Sequence, residues 1–137
     1  MDKQIELKQW KEIADTDLIH ADKSSKNFWP VSYAIVCFHC QQAVEKYLKW
    51  FLVLHDIEPP KNHDLAELVK LCEPMEPKFS SILDKCSVLT KYAVQFRYPH
   101  EYPVEKQDMD IALEYSKTIR NFFHTLFPEQ YEELKLD

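Results

Sequence analysis

The stretch Tyr33–Leu54, YAIVCFHCQQAVEKYLKWFLVL, contains neither proline nor glycine. On a helical wheel at roughly 100° per residue, Val36, Cys37, Cys40, Ala43, Val44, Tyr47, Leu48, Phe51 and Leu54 share one broad arc, with Gln42, Lys46 and Lys49 opposite. That is the pattern of a long amphipathic helix. About six turns are enough to span a small domain, so the other helices must pack along this one.

The whole chain lacks glycine, where average usage near 7% would give about ten. Its eight prolines fall mostly between the periodic segments. Tight hairpins, phosphate-cradling loops and dinucleotide fingerprints rely on glycine, so Rossmann and P-loop sites are excluded and an all-helical fold remains. A length of 137 residues fits one domain with a real core and no disulfide staples. The net charge of −6 argues against a general affinity for nucleic-acid backbone, so DNA is not an expected partner. MDKQIELKQW is not a signal peptide and no apolar run is long enough to cross a bilayer, so the four cysteines are expected as free thiols in a reducing cytoplasm, with no membrane association.

Along the chain, Leu7, Trp10, Ile13, Ala14, Leu18 and Ala21 recur at three- and four-residue spacing and predict a first helix from about Ile5 to Lys23. Ser24–Pro30 is the break, with Asn27 or Ser25 as cap of the next helix and Pro30 in its first turn. Pro59 and Pro60 end the central helix region, and Asp64 with Glu67 reads as a capping box for a short helix, Leu65–Cys72. Another helix is expected from about Phe79 to Phe96, carrying Ile82, Leu83, Cys86, Leu89, Tyr92, Ala93 and Phe96 on one side. Arg97–Pro103, RYPHEYP, reads as a loop. The last long helix runs from about Glu105 to Phe127 with a stripe of Met109, Ala112, Leu113, Ser116, Ile119, Phe123 and Phe127, followed by a charged tail, 128–137, in which Tyr131 and Leu134 are candidates to dock. The expected architecture is an antiparallel up-and-down bundle of four long helices plus a short one, a single domain with its core between residues 5 and 127.

Several groups invite a functional reading. Cys37 and Cys40 form a C-x-x-C, yet mid-helix on an apolar arc they read as core thiols, and Cys72 and Cys86 lack zinc-ribbon spacing, so no metal site is expected. His63 beside Asp64 is either an acid–base pair or a helix-start packing group. Gln41, Glu45 and Lys49 follow at i+4 and read as a solvated flank or a partner-binding stripe. Arg120 lies within the apolar arc of the last helix, with His124 one turn on. A cation there needs a carboxylate, a phosphate or a subunit interface, because burying it unpaired costs several kcal/mol. Arg97, His100 and Tyr102 in the proline-flanked loop form a second polar cluster.

The run Cys40-Gln41-Gln42-Ala43-Val44-Glu45-Lys46-Tyr47-Leu48-Lys49, then His63-Asp64-Leu65, then Arg97-Tyr98-Pro99, strongly resembles the HEPN (higher eukaryotes and prokaryotes nucleotide-binding) domain family. The resemblance covers nearly the whole chain and is to short stand-alone prokaryotic members. It implies a helical bundle that forms a homodimer and pairs with a minimal nucleotidyltransferase in a two-component, toxin–antitoxin-like system. No cofactor is implied beyond a nucleotide as candidate ligand, for which Arg97, His100, Tyr102, Arg120, Glu45 and Lys49 are the candidate nucleotide- or partner-binding residues. Many members of the family are metal-independent ribonucleases with an arginine and a histidine about four to six residues apart. Here Arg120 and His124 have only three residues between them, so the expected function is the non-catalytic partner. The alternative is an RNA endonuclease with Arg120 holding the scissile phosphate and His124 as general acid or base. A third reading, a structural dimer recruiting another protein, rests on Trp10, Trp29 and Trp50 as exposed-leaning aromatics.

Overall fold

The computed structural model describes residues 2–97 and 103–136, with the side chains of residues 94–97 left aside. Five α-helices follow one another: α1 (Lys3–Asn27), α2 (Tyr33–Leu54), α3 (Leu65–Cys72), α4 (Leu83–Arg97) and α5 (Lys106–Leu126), with a 3-10 helix at Pro77–Ile82 leading into α4. No strand occurs among the described residues.

α2 is the hub, touching α1, α3, α4 and α5. α1 and α2 run antiparallel, since Lys3 pairs with Asp56, Asp15 with Tyr47 and Asp17 with Lys46. The central arc forms the core as expected: Val36, Cys37, Cys40, Ala43, Val44, Tyr47, Leu48 and Phe51 are all buried, joined by Trp50, Leu52 and Val53. Phe79, Phe122, Phe123, Phe127 and Tyr131 stack around Phe51 and Trp50, and such aromatic pairs add to the area they bury.

Several boundaries differ from expectation. α1 runs on through Lys-Ser-Ser-Lys to Asn27, because nothing in that stretch forbids a helix and Ser25 bonds back to the Asp22 carbonyl. The α2 cap is therefore Ser32, whose hydroxyl accepts from Ile35 N–H, and Pro30 lies outside the helix. Asp64 caps α3 through Ala66 and Glu67 N–H, but its own N–H goes to Asn62 Oδ1 at 2.9 Å, where the expected box would have used Glu67. The helix expected from Phe79 starts as 3-10 and becomes α only at Leu83. At α5 Asp108 accepts from Glu105 N–H at 2.9 Å, closing its first turn.

The end of α2 shows how a chain without glycine turns sharply. Asp56 takes φ of 59°, the left-handed position usually given to glycine after a helix. Ile57 N–H reaches the Leu52 carbonyl at 2.8 Å and Asp56 N–H the Val53 carbonyl at 3.0 Å, so two orphan carbonyls are satisfied.

Candidate functional site

A densely connected polar group joins α1, α2 and α5. Arg120 is 3% exposed and Asp15 7%. Arg120 Nε–H donates to Asp15 Oδ1 at 2.8 Å and an Nη2 hydrogen to Oδ2 at 3.2 Å, a two-pronged pairing that fixes the guanidinium plane. The Tyr47 hydroxyl also donates to Asp15 Oδ1, and Lys11 stands 3.5 Å from Oδ2. Tyr131 and Tyr47 lie over the guanidinium with ring centres 5.0 and 5.9 Å from its carbon. Burial would lower the arginine's pKa, but the bonds and charge of Asp15 outweigh it and leave it raised. Burial and then the Asp15 charge push both tyrosines well above the ordinary phenol value, so each hydroxyl keeps its proton. The Tyr131 hydroxyl is buried without a hydrogen-bond partner among the described residues.

The segment after α5 completes this region. Arg120 Nη1 donates to the Glu132 carbonyl at 2.9 Å, and His124 Nδ1–H donates to the carbonyl of the preceding residue, Tyr131. A carbonyl only accepts, so Nδ1 carries a proton. Glu132 is held by Lys11 at 2.6 Å. Tyr131 is fully buried and Leu134 packs on the core, so the docking left open by the sequence is made. Beside it lies a groove of about 200 Å³ lined by Leu18, Lys117, Arg120, Asn121, His124 and Glu133, among others. Lys117 is itself bound to buried Asp22 at 2.7 Å.

A second cluster lies on the other side of α2. Gln41, Glu45 and Lys49 are buried, 0%, 4% and 7% exposed, which corrects the expectation of a solvated flank. Lys49 Nζ meets Glu45 Oε2 at 3.1 Å, and Gln41 Nε2 and His63 Nδ1 both reach Oε1, at 3.2 and 2.9 Å. The His63 carbonyl also accepts from Gln41, so the loop before α3 covers this flank. His63 thus partners Glu45, and Asp64 serves as a cap. Glu45 and Tyr47 are about 200° apart on the helix, so Glu45 and Lys49 are not brought together with Arg120.

Of the other expected site residues, His100 and Tyr102 lie outside the described residues, as does the side chain of Arg97. Cys37, Cys40, Cys72 and Cys86 are free and buried, and burial pushes the thiols of Cys40, Cys72 and Cys86 up to about 12. No metal-holding group of His, Cys, Asp and Glu occurs among the described residues. Trp29 is 92% exposed, but Trp50 is 2%, which corrects its reading as a surface aromatic. Asp15 and Asp22 were missed, and Tyr131 was read as a docking residue without its place over Arg120. The signal for the aspartates was present, for they sit seven apart within the stripe of Ala14, Leu18 and Ala21.

Fold and site together define an all-helical protein whose long helices are joined by buried ion pairs, with the one arginine of the last helix committed to a carboxylate. The HEPN domain model matches residues 7–126, and the chain belongs to the HEPN domain family. No curated protein and no solved structure matches it. No helix among the described residues is long and apolar enough to cross a membrane.

Proposed function

We propose that this chain is the non-catalytic HEPN half of a two-component, toxin–antitoxin-like pair, working with a minimal nucleotidyltransferase. The observation that carries the non-catalytic reading is the state of Arg120. Its guanidinium is buried and bonded to Asp15 and the Glu132 carbonyl, so it is not free to meet a scissile phosphate. Family membership supports the pairing with a nucleotidyltransferase, and with it we propose the homodimer, the cytoplasmic setting and the finer architecture, a single domain built as an up-and-down antiparallel bundle of four long helices. A nucleotide ligand belongs to the groove beside Arg120 and His124, with Arg97, His100 and Tyr102 as further candidates, while Glu45 and Lys49 form a separate, partner-facing flank. No metal is required.

Co-expression with the product of the neighbouring gene tests this reading: a stable complex with a nucleotidyltransferase supports it, and purification of the chain alone from such cells refutes it. An unchanged melting temperature in millimolar AMP or ATP would remove the nucleotide component. The second reading, a metal-independent RNA endonuclease, is favoured by one observation, that Arg120 and His124 line the same groove as Asn121 and Lys117.

A further inference from the structure

The segment 128–136 holds down the Arg120–His124 pair in a particular way. Arg120 and His124 are one turn apart on α5, and each gives a hydrogen to a carbonyl of the segment, the two carbonyls belonging to consecutive residues, Glu132 and Tyr131. The segment thus places two oxygen acceptors in front of an arginine and a histidine, where a phosphate group would place two of its own. It is also acidic, with Glu129, Glu132 and Glu133, and Glu133 lines the groove beside Lys117. Beyond the Tyr131 ring and its N–H, which donates to the Phe127 carbonyl at 2.8 Å, its side-chain attachments are peripheral: the Lys11–Glu132 bridge, whose glutamate side chain is 65% exposed, and the partly buried Leu134 and Leu136. The Tyr131 ring is well packed, but its hydroxyl is buried with no hydrogen-bond partner among the described residues, and an unmet buried donor opposes docking.

We infer that segment 128–136 is an autoinhibitory strap: its Tyr131 and Glu132 carbonyls occupy the positions of phosphate oxygens at Arg120 and His124, and its displacement opens a site for a phosphate-bearing ligand. This rests on the proposed reading of that groove as nucleotide-facing. Displacement frees Arg120 Nη1 and His124 Nδ1 together while Asp15 still holds the guanidinium plane, so the opened site is preformed. Binding is then weakened in the resting protein by the small fraction of molecules with the strap undocked.

Two variants move the strap in opposite directions. Glu132→Ala with Leu134→Ala and Leu136→Ala removes the peripheral attachments and leaves Tyr131. Tyr131→Phe removes the unmet hydroxyl and keeps the ring. Anisotropy with a fluorescein-labelled 12-nucleotide single-stranded RNA, and calorimetry with AMP, read the phosphate in its two forms, and hydrogen exchange reads the strap.

The loosened variant is expected to exchange faster over 128–136 and to bind at least one probe roughly 10-fold more tightly than wild type, Tyr131→Phe to bind more weakly, and His124→Ala in the loosened background to lose the gain. Faster exchange without tighter binding, or a gain that survives His124→Ala, overturns the strap. Should the triple variant fail to fold, binding by Tyr131→Phe at or above wild-type strength overturns it alone. Equal binding by wild type and loosened protein refutes the strap and leaves the nucleotide-facing reading standing, whereas no binding by either refutes both.

Discussion

Asp15→Ala should be among the most damaging single changes in this protein, and more damaging than removing the arginine it holds. With Asp15 gone, Arg120 keeps the Glu132 carbonyl, at 2.9 Å, and the faces of the Tyr47 and Tyr131 rings but no carboxylate, and the Tyr47 hydroxyl loses its acceptor. A buried charge stripped of its partner costs about 3–5 kcal/mol. Arg120→Met is milder, because Asp15 still has the Tyr47 hydroxyl and Lys11 at 3.5 Å; the loss is then about 2 kcal/mol. At this chain length 1 kcal/mol corresponds to roughly 3–5 °C in melting temperature, so Asp15→Ala should melt about 10–20 °C below wild type and Arg120→Met about half as far below. The triple change Asp15→Leu, Tyr47→Phe and Arg120→Met, which removes the buried carboxylate, hydroxyl and guanidinium together, should recover most of the loss. Thermal and urea melts of the four proteins decide. Asp15→Ala within about 1 kcal/mol of wild type, or no more damaging than Arg120→Met, would refute a closed structural pin at this cluster.

Other outcomes follow from separate parts of the molecule. Burial alone would raise the Asp17 pKa, but hydrogen bonds from His39 and Lys46 hold it below the ordinary value; its contribution is therefore present above an unfolded pKa near ~3.9 and lost as pH falls through the folded value. Asp17→Asn should cost about 1–2 kcal/mol at pH 7, and the difference from wild type should shrink in melts below about pH 4. Glu45→Ala, which strands the buried Lys49, should cost about 3 kcal/mol, whereas His63→Ala, at a side chain 54% exposed, should cost less than about 1 kcal/mol, both read by urea unfolding. Asp56→Gly should stabilise by about 1 kcal/mol by relieving the left-handed backbone, with little offset from its exposed bridge to Lys3. The four buried thiols should resist Ellman's reagent at pH 8 in the native protein and all react in denaturant; rapid native labelling of any of them would contradict the packing.

The helices were legible wherever a single apolar arc ran unbroken, as in Tyr33–Leu54 and Leu65–Cys72. Boundaries were less so, because Ser24–Asn27 can end a helix or continue one, and tertiary packing against α2 continued it. Gln41, Glu45 and Lys49 read as solvated because a helical wheel registers polarity and not the loop carrying His63 that covers them. Arg120 stood out within an apolar stripe, but its partner lies 105 residues away on another helix. Only the aspartates inside the stripe of α1 hinted at the pairing. The strap was the least legible, since a charged segment after Pro128 reads as solvated until Tyr131 is seen to fill the space between Tyr47, Trp50 and Phe123.

With Arg120 committed to Asp15 in the resting protein, the chain is expected to have no nuclease chemistry of its own. Incubating the purified full chain with labelled single-stranded RNA in EDTA tests this most directly. Intact RNA is expected at every protein concentration at which Arg120→Ala also leaves it intact. Cleavage by wild type that disappears in Arg120→Ala would contradict it.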